Sequence, residues 1–542
     1  MNRVLVLVWY GSLLSVSVVA QEPDTILSRH PADPALTAAV RPLTAPPELP
    51  ISSPDTAYQQ LFRPQFHFSP RANWINNPNG LVYFDHEYHL FYQHNPFANV
   101  WGNMSWGHAI SRDLVHWREL PPAITAEDST QIFSGSCVID KKNSSGFGHD
   151  GMVPMVAVYT AFRSNRQSQC LAYSLDKGRT WTKYAANPVL DLQQANFRDP
   201  KVFWHEPSQR WVMVVLLPTE RRVLFYNSPD LKAWTKTGEF KAPGRPTTVV
   251  WESPDLVEVP VDSMVKQKWL LMLSVDGGGP AGGTGVQYYV GQFDGHTFVS
   301  DGKTSKPRFA DYGKDYYAAI TYNNLPRRGN RGPISIGWMN NWQYAGTVPT
   351  TPFRGVMTLP RELHLVRKTE KKLVHYELRQ QPVQELTQLL GQPFDWVGTT
   401  TNQLDQQLAT TDLPAETYMM TIDIEPKSSR ENCRILLNKS SLTSTDSTVI
   451  GYDMDRQQLY IGRGQAAVGN GFSGQFTAPL KLKNGRISLQ VWVDRASVEV
   501  FANDGQVTMT SQMFPDPTNA GITFQGDGAW RVTIQAVSGI WR

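Results

Sequence analysis

Short runs of apolar residues, separated by turn-forming residues, dominate the chain from about Leu61 to Leu365. This length and spacing predict β-strands joined by tight turns, and the region carries no convincing helical periodicity. The clearest runs are Leu81–Phe84, Tyr88–Tyr92, Val153–Thr160, Val202–Trp204, Trp211–Leu216 and Trp269–Ser274.

A weak internal repeat runs through the same region, in which a Ser and an Asp precede a Trp. Its three copies are Ser111-Arg112-Asp113-Leu114 with Trp117, Ser174-Leu175-Asp176 with Trp181, and Ser228-Pro229-Asp230-Leu231 with Trp234. A Ser and an Asp that hydrogen-bond a tight turn above a packed Trp are typical of the repeated hairpin of a propeller blade. At about 60 residues per blade, a region of about 300 residues predicts roughly five blades. Coincidence among common turn residues is the alternative.

The pattern changes beyond this region, 61–365. Lys371–Leu390 is charged and Gln-rich with some helical spacing, which predicts a connector over 366–400. Short alternating strands then return and predict a β-sandwich over 401–542. The predicted fold is therefore all-β: a five-bladed β-propeller followed by a C-terminal β-sandwich.

The N-terminal 60 residues have a different composition. Arg3 precedes an apolar run that ends with small residues at Ala20, which predicts a signal peptide over 1–20 and a secreted protein. A membrane anchor is the alternative, but the run is short for a bilayer. The segment 21–60 is predicted to be a Pro-rich arm, because Gln21–Ala57 holds eight prolines and no aromatic residue.

The balance of charged residues limits the classes of partner that are expected. The 542 residues carry 51 Lys+Arg and 48 Asp+Glu, a formal net charge of +3. Because there is no excess of basic residues, electrostatic binding of nucleic acid is not expected. After signal cleavage no membrane association is expected, since no later apolar segment is long enough to span a bilayer. Three cysteines exclude a disulfide scaffold, whereas 17 Trp residues supply many flat apolar faces.

Three clusters place carboxylates or amides beside aromatic rings on predicted turns. They are Trp74–Gly80 (WINNPNG), Phe197–Pro200 (FRDP) and Trp251–Asp255 (WESPD). A Trp face stacks on the apolar side of a sugar ring, while amides, carboxylates and Arg hydrogen-bond its hydroxyls. Hydrolysis of a glycoside also needs two carboxyl groups at a set separation. The clusters therefore predict a carbohydrate site.

These clusters resemble the W-M-N-D-P-N-G, R-D-P and W-E-C-P-D elements of glycoside hydrolase family 32, the invertases, inulinases and levanases. Further similar segments are Phe91–Gln93, Trp101–His108, Phe133–Ser136, Gly337–Trp342, Val493–Arg495 and Val498–Phe501. The resemblance spans Arg63 to Arg542 in the family's order. It implies a propeller followed by a sandwich. It also implies exo-acting, retaining hydrolysis of levan, inulin or sucrose, with a fructan or fructo-oligosaccharide as the substrate partner. No cofactor and no metal are expected.

The resemblance also implies roles for individual residues. Glu252 is expected to be the acid/base, Asp199 to bind fructose hydroxyls and stabilise the transition state, and Asn77 to stand at the nucleophile position. The retaining mechanism places nucleophile and acid/base about 5 Å apart. The expected substrate-binding residues are Asn76, Gln93, Trp101, Ser134, Arg198 and Trp338.

Asn77 departs from the family pattern, in which this position is Asp. An amide has almost no nucleophilic charge, so we expect a rate loss on the order of 10⁴-fold. Three explanations stay open: an introduced substitution that holds uncleaved fructan, which we favour; a natural non-hydrolysing fructan-binding relative; and hydrolysis by another route, with Asp199 holding a water. A fructosyltransferase is a further alternative, because a sugar hydroxyl can replace water as acceptor.

Overall fold

The computed structural model describes residues 58–241, 249–262, 267–301, 308–326, 329–370, 372–411, 416–427, 432–439, 447–464, 468, 471–516 and 521–541. The predicted signal peptide, 1–20, and most of the predicted arm, 21–60, lie outside the described residues. Within the described residues no helix is long and apolar enough to cross a membrane.

The described residues between 73 and 382 form five sheets, the blades, whose consecutive strands pair antiparallel. Blade 1 contains β1 (Asn73–Phe84), β2 (Glu87–Asn95), β3 (Ser105–Ser111), β4 (Trp117–Ile124) and the late strand β21 (Phe353–Arg354). Blade 2 contains β5 (Gln131–Ile139), β6 (Met155–Arg163), β7 (Arg166–Ser174), β8 (Thr182–Lys183) and β9 (Leu190–Gln194). Blade 3 contains β10 (Arg198–His205), β11 (Arg210–Leu217), β12 (Arg222–Ser228) and β13 (Thr235–Lys241).

The last two blades follow the same order. Blade 4 contains β14 (Trp251–Pro260), β15 (Gln267–Val275), β16 (Gly285–Phe293), β17 (Phe298–Ser300) and β18 (Arg308–Phe309). Blade 5 contains β19 (Tyr317–Thr321), β20 (Ile334–Trp338), β22 (Arg361–Glu370) and β23 (Leu373–Pro382). The predicted all-β fold with a propeller is confirmed.

The ring of blades is closed by β21. This strand lies between β20 and β22 in sequence, yet it pairs in parallel with β1 of blade 1, with Asn73 opposite Phe353 and Trp74 opposite Arg354. The pairing gives the inner edge of blade 1 a partner from the end of the propeller, so the edge is not left open.

The Ser–Asp–Trp repeat marks the turn between the third and fourth strands of blades 1, 2 and 3, as predicted. In each copy the Asp carboxylate accepts backbone N–H groups two to four residues ahead; the acceptors are Asp113, Asp176 and Asp230. Blade 4 repeats the turn at Asp294, which bonds the N–H groups of His296 and Thr297. This fourth copy was not recognised from the sequence, because it lacks the Ser and carries Phe298 where the others carry Trp.

The predicted connector, 366–400, is wrong as a helical segment. Its first part belongs to the hairpin β22–β23, and only Gln384–Leu389, a 3₁₀ helix, links the propeller to the next sheet. The error has a physical cause: β23 is the outermost strand of blade 5 and is mostly half-buried or exposed, so its polar, Gln-rich sequence lacks the apolar alternation of a buried strand.

A sandwich of two sheets follows. The first sheet runs in the order β24 (Leu390–Gly398), β34 (Gly528–Val537), β25 (Tyr418–Pro426), β30 (Ile487–Asp494), β31 (Ser497–Ala502) and β32 (Val507–Gln512). The second runs β29 (Gly474–Pro479), β28 (Gln458–Arg463), β27 (Thr448–Asp453), β26 (Cys433–Lys439) and β33 (Gly521–Gln525). The two sheets enclose an apolar core, and a short helix, α1 (Thr401–Leu408), buries Leu404 in it.

Buried charges join the sandwich to the propeller. Arg361 at the start of β22 donates to Asp311 at 2.9 Å and to Glu499 of the sandwich at 2.5 Å. His67, ahead of blade 1, lies between Asp494 at 2.8 Å and Glu499 at 3.0 Å. Each charge has a partner of opposite sign, which is the condition under which buried ions are tolerated.

Candidate active site

All five inner strands carry a bulge close to their N-terminal ends. The pairing register shifts between Ile75 and Pro78, Ile132 and Gly135, Arg198 and Lys201, Glu252 and Asp255, and Tyr317 and Ile320. A bulge re-aims one or two side chains out of the regular alternation. Here the bulged segments contain the predicted residues of all three clusters, and a narrow cavity below them is lined from every inner strand.

Asn77 lies in the bulge of β1 and is 7% exposed. Its Oδ1 accepts a hydrogen bond from Nδ2 of Asn76 at 3.1 Å, and its Nδ2 donates to Oγ of Ser253 at 3.3 Å. Asn76 is itself held by the indole N–H of Trp74 at 2.9 Å. The amide at position 77 is thus oriented from two sides, with its nitrogen toward blade 4.

Asp199 begins blade 3 with a backbone φ of 65°. Its N–H donates to Oγ1 of Thr160 in blade 2 at 3.0 Å, and its Oδ2 accepts from the N–H of Ser253 in blade 4 at 2.9 Å. A non-glycine residue with positive φ persists only where its surroundings hold it, and such residues cluster at functional sites. The two neighbouring blades supply that support.

Glu252 is buried and receives donors on both carboxylate oxygens. Arg198 donates to Oε1 through Nε at 3.2 Å and Nη2 at 2.8 Å, and the hydroxyl of Tyr317 donates to Oε2. Burial opposes the charge of Arg198, but the carboxylates of Glu252 and Asp199 outweigh it and raise the Arg198 pKa. Burial, with Glu252 second, raises the pKa of Tyr317 well above its usual value, so it stays a donor.

Polar side chains from blades 1 and 2 complete the floor. Gln93 donates to the carbonyl of Ile132 at 3.0 Å and is 3% exposed, and Ser134 is 7% exposed. Oriented to suit its neighbours, the Asn79 amide donates to Oγ of Ser134 at 3.1 Å and accepts from Nε2 of Gln93 at 3.1 Å. Asn79 therefore connects two of the predicted substrate-binding residues.

Aromatic rings form one wall of the site. Trp74 and Trp342 stack with ring centroids 5.9 Å apart, and Trp338 lies 4.8 Å from Trp342. Trp101 and Phe133 are half-buried and meet edge to face at 6.2 Å. Trp338 has no exposed surface and packs against the other rings, and its part in substrate binding stays a prediction.

The structure brings the remaining predicted residues together and adds others. Sequence reasoning missed Tyr317, which orients Glu252, and Thr160, which orients Asp199. It also gave no role to Trp74 and Asn79. Trp74 and Asn79 lie within the first cluster, so that motif could have pointed to them. Tyr317 and Thr160 lie far along the chain from their partners, and no local signal marks them.

Two family models cover most of the chain. The "Glycosyl hydrolases family 32 N-terminal domain" matches residues 67–382, and the "Glycosyl hydrolases family 32 C terminal" matches residues 385–538. This chain belongs to glycoside hydrolase family 32. The border between the two family 32 matches falls where β23 ends and the 3₁₀ helix Gln384–Leu389 begins.

Relatives of this family 32 chain include enzymes named for two fructans. It is 42% identical over 498 residues to a levanase from Bacillus subtilis (strain 168), covering 89% of this chain and 72% of the relative. It is 39% identical over 525 residues to an extracellular exo-inulinase from Aspergillus awamori, covering 89% and 96%. A crystal structure of exo-inulinase from Aspergillus awamori matches with a TM-score of 0.80 at 37% identity, covering 89% and 100%.

Proposed function

We propose that this protein is built to release terminal fructose from levan, inulin or sucrose by a retaining mechanism, and that Asn77 strongly reduces that turnover. As a family 32 member, the chain is a glycoside hydrolase acting on β-fructofuranosides. The observation that carries the proposal is that bulges of three inner strands bring Asn77, Asp199 and Glu252 together, with Ser253, the residue after Glu252, bonded to both of the others. The levanase and exo-inulinase relatives support fructan as the substrate.

The roles follow from a carboxylate at position 77, as the family pattern has it. That carboxylate attacks C2 of the terminal fructosyl unit while Glu252 protonates the oxygen that leaves, so the glycosidic C–O bond breaks as the covalent bond forms. Glu252 then takes a proton from water, which attacks C2 and releases fructose and the free carboxylate. Asp199 accepts from fructose hydroxyls in a fixed orientation, because Ser253 holds its second oxygen.

Asn77 removes the attacking charge and also affects Glu252. Arg198 and Tyr317 both favour the ionised form of Glu252, and a negative charge nearby would oppose it. Losing that charge therefore lowers the tendency of Glu252 to stay protonated, which is a secondary cost to its role as the acid. Spontaneous deamidation of Asn77 through an imide is disfavoured, since Pro78 has no backbone N–H to attack the amide.

A second candidate is a fructan-binding protein that does not hydrolyse. The observation that favours it is the geometry around Asn77: the amide is buried, hydrogen-bonded on both sides and surrounded by the polar floor and the aromatic wall. Such a pocket retains the groups that bind sugar while lacking the nucleophile.

We also infer that the protein is exported. The apolar N-terminal run and the relatives named as extracellular support this inference.

The test compares fructose released from levan, inulin and sucrose by this chain and by its Asn77→Asp variant. The matched control is Asn76→Asp, which places a carboxylate one residue away. We expect release only from Asn77→Asp, with a gain on the order of 10⁴-fold. The fastest of the three substrates would identify the preferred linkage. Equal activity of the parent chain and Asn77→Asp would refute the assignment of position 77, and silence of both, with fructan still bound, would favour the binding protein.

A further inference from the structure

A second cavity, of about 530 Å³, lies on blade 2 and the turn that leads into it from blade 1. Its walls come from the turn ahead of β5, the hairpin between β6 and β7, and the segment around β8 and β9. We call it the outer groove; the side chains considered below are Glu127, Asp128, Arg163, Arg166, Lys183 and Asp191, with Tyr159 and Tyr184. Its volume lies in the range of small-ligand sites. It offers room for a short oligosaccharide rather than a single sugar.

The charges of the outer groove cancel. Three acidic and three basic side chains line it, which favours a neutral ligand over an anion or a cation. Lys183 pairs with Glu127 at 2.5 Å and Arg166 with Asp191 at 3.1 Å. All four side chains are 25 to 56% exposed, so these pairs contribute little to stability and can exchange for sugar hydroxyls.

Tyr184 supplies aromatic surface beside these charges, because it is half-buried against Phe147 with ring centroids 5.3 Å apart. Tyr159 is 3% exposed and forms the base of the groove, where it packs edge to face on Trp106 at 6.4 Å. Rings that are already packed lose little conformational freedom when a ligand binds. Hydroxyl-rich polar groups next to tyrosine rings are the combination that sugars require.

The outer groove adjoins the active site along β5. Ile132 lines the groove and precedes Ser134, which lines the cavity of the active site, by two residues. Two residues of a strand span about 7 Å, so the groove starts beside the pocket. A chain that leaves the pocket toward the outer strands of blade 2 therefore meets the groove next.

We propose that the outer groove binds a distal stretch of the fructan chain whose terminal unit occupies the active-site pocket. This inference rests on the proposed function. Two contacts on one chain raise the affinity for long fructans, because the second contact forms within the complex at high effective concentration. Short substrates occupy the pocket alone and gain nothing.

The experiment measures Kd for long-chain inulin, long-chain levan and a fructosyl trisaccharide by calorimetry on the full chain. Ser168→Trp fills the groove from β7, and Thr235→Trp places the same ring on an exposed strand of blade 3 as the matched control. Arg163→Ala, at an exposed position, is a second variant in case the first fails to fold. We expect groove variants to raise Kd for at least one polymer about tenfold and to leave the trisaccharide and the control unchanged.

The possible failures are distinguishable. Polymer affinity that is unchanged in folded groove variants overturns the groove proposal and leaves the proposed function standing. Equal weakening of polymer and trisaccharide also overturns it, because it places the effect in the pocket. A parent chain that binds none of the three ligands removes the proposed function, and the groove proposal with it.

Discussion

The backbone N–H of Ser253 donates to Oδ2 of Asp199 at 2.9 Å, which ties the residue after Glu252 to a carboxylate on the neighbouring blade. Both residues have positive φ, 65° for Asp199 and 47° for Ser253, and both lie in bulges of their inner strands. The contact therefore fixes the spacing of the two predicted catalytic carboxylates. Five substitutions follow from this site and from the interface between the propeller and the sandwich.

Tyr317→Phe removes the hydroxyl that donates to Oε2 of Glu252. In the Asn77→Asp background we expect kcat to fall about tenfold to a hundredfold, since Glu252 loses one of its orienting groups. The hydroxyl stabilises the ionised carboxylate, so its loss moves the alkaline limb of the pH–rate profile to higher pH. The control is Tyr316→Phe, the adjacent buried tyrosine. A purely structural role for Tyr317 would leave the pH profile in place.

Arg198→Lys replaces two donors to one oxygen of Glu252 with a single flexible ammonium group. A lysine does not reproduce the planar fork of arginine. We expect kcat in the Asn77→Asp background to fall about a hundredfold, with KM changed far less. Arg210→Lys, at an exposed position of the same blade, should be neutral. Steady-state kinetics decide; a change in KM alone would place Arg198 in substrate binding instead.

Trp338→Ala and Trp101→Ala should separate support from binding. Trp338 has no exposed surface, so its truncation creates a cavity and lowers the free energy of unfolding by about 3–5 kcal/mol. Trp101 is half-buried at the rim, so its truncation should raise Kd for fructan about tenfold with a much smaller loss of stability. Denaturant unfolding and calorimetry measure the two effects. Equal losses of stability in both variants contradict this division.

His67 makes the stability of the sandwich–propeller interface depend on pH. Burial lowers its pKa, but the hydrogen bonds and charges of Asp494 and Glu499 prevail and raise it from 6.5 to about 9. A raised pKa contributes stability that is complete below about pH 6.5 and is lost as pH rises through about 9. That contribution is on the order of 3 kcal/mol.

The same interface weakens in acid. Burial raises the pKa of Glu499, but the charges of Arg361 and His67 outweigh it, and the Glu499 pKa lies below its usual value. A lowered pKa contributes stability above about pH 4.5 that is lost as pH falls further. Unfolding free energy measured from pH 4 to 10 should therefore peak between these limits, and His67→Gln should flatten the alkaline side. An unchanged alkaline slope in His67→Gln would assign it to another group.

Much of the site could be predicted because its residues lie in short motifs. Asn76, Asn77, Arg198, Asp199 and Glu252 all come from three clusters in which polar groups flank aromatic rings. The motifs did not predict how these side chains are oriented. Tyr317 and Glu252 are 65 residues apart, and their contact exists only because blades 4 and 5 are neighbours around the axis.

The sequence by itself determined the features that depend on nearby residues: strand lengths, the Ser–Asp turns of three blades, and the polar and aromatic clusters. Their hydrogen bonds span two to four residues, so local chemistry is sufficient. Only the tertiary structure decided the bulges of the inner strands, the partners of Asp199 and Glu252, and the pairing of Asn73 with Phe353. These depend on closure of the ring, which brings residues far apart in sequence to one axis, where burial requires every polar group to find a partner.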